Sequence, residues 1–77
     1  MKRYFITGSG YERFDELTER LAQIDSRSSE WYTVINELQV LQSYMDGETR
    51  RMTEASFRPG FVAAFGRLLR GGFLAYD

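Results

Sequence analysis

Residues 4–10 read YFITGSG, and the way this stretch is understood decides the fold. Tyr4, Phe5 and Ile6 are aromatic and β-branched residues of the kind that favour a strand, and Thr7-Gly8-Ser9-Gly10 interrupts them before a helical pattern begins. A strand, a glycine turn and a helix in succession make either a phosphate cradle or a tight turn closed by a capping side chain. A dinucleotide cradle needs glycines spaced so that backbone can approach the pyrophosphate. Counted from Gly8 as G-x-G-x-x-G, the third glycine position holds Arg13, and no Gly-Lys-Ser/Thr follows for a Walker-type loop. The expectation is therefore a turn, with Gly8 and Gly10 easing the backbone and Ser9 capping a helix.

Beyond the turn, Phe14, Leu17, Leu21 and Ile24 recur at three and four residues and predict an amphipathic helix over residues 11–24, with acids in its first turn. The stretch DSRSS (25–29) breaks the pattern, and Ser28 or Ser29 is placed to cap a second helix over residues 30–45. Trp31, Val34, Ile35, Leu38, Leu41 and Met45 form its main apolar face, and Asp46-Gly47 should end it. Residues 48–58 carry no decisive pattern beyond a short helical turn. Pro59 suits the first turn of a third helix, whose apolar side is Phe61, Val62, Phe65, Leu68 and Leu69 and whose stop is Gly71. The closing GGFLAYD (71–77) reads as a short strand. The expected architecture is a single mostly helical α+β domain spanning residues 1–77, ordered β-α-α-α-β, with its two terminal strands paired against the helices.

Tyr4 to Gly10 resembles the opening of sugar-nucleotide epimerases and related short-chain dehydrogenases, where a strand runs into Thr-Gly and a glycine-rich turn. The resemblance stops at Gly10. That family carries further glycines spaced by three, several parallel strands and an acid near the end of the second. Here the glycine positions hold Tyr11 and Phe14, and the chain goes into consecutive helices. No nucleotide cofactor is expected, nor any other.

Composition narrows the chemistry further. The 77 residues contain neither cysteine nor histidine, which removes disulfides, thiolate and imidazole catalysis and the common zinc ligand sets. A chain of this size buries only about 60–65% of its unfolded surface, so self-association is an expected source of added stability. No apolar run approaches the ~20 residues of a membrane span, and the start lacks a signal-peptide core. A soluble, cytoplasmic protein is expected. The net charge of −1 is divided unevenly, −3 over residues 1–47 and +2 over residues 48–77. This balance is too mild for a DNA mimic or a dedicated nucleic-acid binder.

Three surfaces remain as candidates. Glu12, Asp15, Glu16 and Glu19 crowd the polar side of the first helix, where Glu16 can pair with Arg20. They read as a solvated face, because acid–base work requires burial that separates the two pKa values. The second helix places Val40 opposite its main apolar face, flanked by Tyr32 and Tyr44, so it is buried on two sides or offers the second side to a partner. Gln42 falls within the main apolar arc and would need a hydrogen-bonding partner there. Arg50, Arg51, Arg58, Arg67 and Arg70 could converge into a basic patch bordered by Phe57 and Tyr76. Arginine among aromatics suits a protein hot spot, and it equally suits a surface for single-stranded nucleic acid.

The resulting expectation is a non-enzymatic protein-interaction module, a homodimer or higher oligomer, that adapts or inhibits a larger protein machine. Its contact residues would be Tyr32, Val40 and Tyr44 with Arg50, Arg51, Arg58, Arg67 and Arg70. Small bacterial or phage accessory proteins fit that size class. The alternative is a nucleic-acid, nucleotide or phosphate-ligand binder acting through the arginines. An enzyme is not expected, since no nucleophile–base spacing points to a site.

Overall fold

The computed structural model describes residues 3–45 and 58–76. Along the chain lie β1 (Tyr4–Ile6), α1 (Gly8–Leu21), α2 (Ser29–Met45), α3 (Pro59–Arg70) and β2 (Leu74–Tyr76), in the expected β-α-α-α-β order. The two strands pair antiparallel, with Tyr4 opposite Tyr76, Phe5 opposite Ala75 and Ile6 opposite Leu74. Because side chains alternate along a strand, Tyr4, Ile6, Leu74 and Tyr76 share one face while Phe5 and Ala75 share the other. Leu74 is buried and Ile6 packs on the core, so the first face looks toward the helices, whereas Phe5 is largely exposed.

The YFITGSG stretch holds no separate turn: β1 passes through Thr7 directly into α1, so Gly8 and Gly10 are helical with no positive φ, and the cap also differs from the expected one. Thr7 is the N-cap of α1: its Oγ1 accepts a hydrogen bond from the Gly10 N–H at 3.1 Å. Ser9 lies inside the first turn instead, its hydroxyl 3.2 Å from Thr7 Oγ1. The helix thus begins three residues early, and its first turn holds no acid to complement the helix dipole. It also ends at Leu21, before Ile24, which still packs against the core. Gly10 serves close packing. A Cβ there would collide with the Phe73 carbonyl oxygen and lie 2.5 Å from Ile6 Cγ1. The absence of a side chain lets the start of α1 press onto β1 and onto Phe73, the residue that leads into β2.

α2 is capped by Ser28, whose Oγ accepts from the Trp31 N–H at 3.2 Å. At the far end of the chain, α3 opens with Pro59 and closes in a left-handed turn. The Phe73 N–H reaches the Leu68 carbonyl at 2.9 Å and the Gly72 N–H reaches that of Leu69 at 3.2 Å. This 6→1 and 5→2 pair is a Schellman motif, with Gly72 at the position of positive φ (79°). Thr7 then joins the two ends: its N–H donates to the Phe73 carbonyl at 3.1 Å and its hydroxyl lies 2.8 Å from the Gly72 carbonyl.

Among the described residues the core is Leu17, Val34, Leu38, Val40, Leu41, Ala64, Leu68 and Leu74. α2 supplies half of it, because it packs against α1, α3 and β1 together. Its second apolar side is therefore covered by the chain itself at Val40 and in part at Tyr44, while Tyr32 stays exposed. Val40 is fully buried, which overturns its reading as a contact residue. Gln42 is exposed, so its amide meets water and needs no partner in the core.

Candidate functional site

Among the described residues, the polar residue that does enter the core is Glu37, 6% exposed on the buried side of α2. A lone buried carboxylate would be costly, and two helices supply arginines to it. Arg67 of α3 donates from Nε to Glu37 Oε1 at 2.7 Å. Arg13 of α1 brings a terminal guanidinium nitrogen to 3.8 Å from Oε2. Arg13 also pairs with Glu16 at 3.3 Å and lies over the Phe73 ring, 5.4 Å from its centroid. Glu37 thus draws α1 and α3 onto α2 at one charged point.

Beside this point α1 and α2 enclose a cleft of about 360 Å3 lined by Leu17, Val34 and Thr33 with Arg13, Arg20, Glu16, Glu30 and Glu37. Arg20 donates from Nε and from a terminal nitrogen to Glu30 Oε1 across the helix pair. The expected Glu16–Arg20 pair within α1 is therefore replaced by Arg13–Glu16 and Arg20–Glu30. Both α1 arginines are turned toward α2, and Glu12, Asp15 and Glu19 remain exposed to solvent. Among the described residues no group of three or more acids is arranged to hold a metal ion, and no helix is long and apolar enough to cross a membrane.

The proposed contact residues are dispersed. Tyr32 is 58% exposed in the first turns of α2, its ring edge-on to Trp31 with centroids 5.2 Å apart. Tyr44 is half-buried at the other end of the helix, where its ring lies 6.3 Å from that of Phe65. Burial, and secondarily the neighbouring Tyr4 hydroxyl, raise the Tyr44 pKa above its ordinary value. Arg58 and Arg70 are exposed, whereas Arg67 is committed to Glu37. Arg50, Arg51 and Phe57 lie outside the described residues, so the convergence of all five arginines rests on the sequence alone. Phe5, Tyr11, Val62 and Tyr76 add large apolar side chains that are 44–53% exposed.

Glu37 was the residue most easily overlooked. Its signal is its place in the helical stripe, three residues after Val34 and four before Leu41, where a charge requires a partner. Comparison with known protein families, characterised proteins and solved structures returns no match.

Proposed function

We propose that this chain is a non-catalytic protein-interaction module that uses the Trp31–Tyr32 corner of α2 as its anchor. The observation that carries the reading is Tyr32, the most exposed of the large hydrophobic side chains among the described residues, held edge-on by Trp31. Tryptophan and tyrosine dominate interface hot spots because they bring large amphipathic area at small entropic cost. The arginine-based alternative is weakened by the engagement of Arg67 with Glu37. An adaptor or inhibitor of a larger assembly, or a self-associating subunit, is the role that fits a domain of this size.

The test combines light scattering of the purified protein with affinity capture from a lysate of the source organism, each repeated with Tyr32→Ala. Capture of a stoichiometric protein, or a mass above the monomer, that survives nuclease and high salt and is lost in the variant supports the reading. Recovery of nucleic acid that falls steeply with salt, unaffected by Tyr32→Ala, overturns it in favour of the arginines.

A further inference from the structure

We draw no further inference here: the strongest candidate, the cleft of about 360 Å3 between α1 and α2, is lined by two arginines and three glutamates that already pair with one another or, for Glu37, also with Arg67 beside the cleft, so no unbalanced charge there selects a ligand.

Discussion

At the scale of single residues, three glycines perform three different tasks, and substitution by alanine separates them. Gly8 opens α1 with open space around it, nothing lying within 4 Å of the point a Cβ would occupy. Gly8→Ala should raise stability by about 0.4–1 kcal/mol by restricting the unfolded chain. Gly72 has equal room, but its φ of 79° belongs to the left-handed region. Gly72→Ala should therefore lose about 1–2 kcal/mol through backbone strain alone. Gly10 has an ordinary helical backbone and no room, since the Phe73 carbonyl and Ile6 occupy the space. Gly10→Ala must push α1 off β1 and Phe73, a cost of about 1–3 kcal/mol. Urea denaturation checks the order, with unchanged m-values showing that midpoints report stability. If Gly10→Ala were as stable as Gly8→Ala, the close contact of α1 with β1 and Phe73 would not exist in solution.

At the scale of elements, the helices were legible because each carries apolar residues at three and four spacing within an element of at least twelve residues. The terminal strands were legible from their aromatic and branched residues, and their pairing follows from needing a neighbour. What could not be read was which element covers which side of α2. Val40 and Glu37 show why. A helix apolar on two sides is satisfied equally by two neighbours of its own chain or by one neighbour and a partner, and local spacing does not distinguish them. Similarly, Glu37 advertises a buried charge, but its partner Arg67 is thirty residues away and is reached only once α3 packs on α2. The coupling is measurable. Glu37→Leu and Arg67→Leu, singly and together, form a double-mutant cycle whose interaction energy should be about 1.5–3 kcal/mol, the range for hydrogen bonds to charged groups. Loss of Glu37 alone should be milder than for a fully buried pair, because the Arg67 side chain is 39% exposed and can turn to water. The double variant should regain part of the loss. Additive single effects would show that Glu37 and Arg67 do not interact in solution.

At the scale of the whole molecule, the fold is closed by an aromatic cluster that gathers both ends of the chain against two helices. Tyr4 of β1 meets Phe65 of α3 edge-on at 4.9 Å and Tyr76 of β2 at 5.7 Å, while Tyr44 of α2 approaches Phe65 from another side. Burial of the Tyr44 phenol favours its neutral form, so its pKa is higher in the folded protein than the ordinary value of 10.0. The sign of the pH dependence follows by linkage. Below pH 10.0 the phenol is protonated in both states and its contribution to stability is complete. Above that pH the unfolded chain releases the proton while the folded protein retains it, and stability falls until the pH passes the raised folded value. The measurement is urea unfolding from neutral to alkaline pH, comparing the native protein with Tyr44→Phe. The phenylalanine variant keeps the ring in the cluster but has no proton to lose, so its stability should decline less above pH 10.0. Parallel curves for the two proteins would mean that Tyr44 is solvated and that the ends of the chain are not closed over α2 as described.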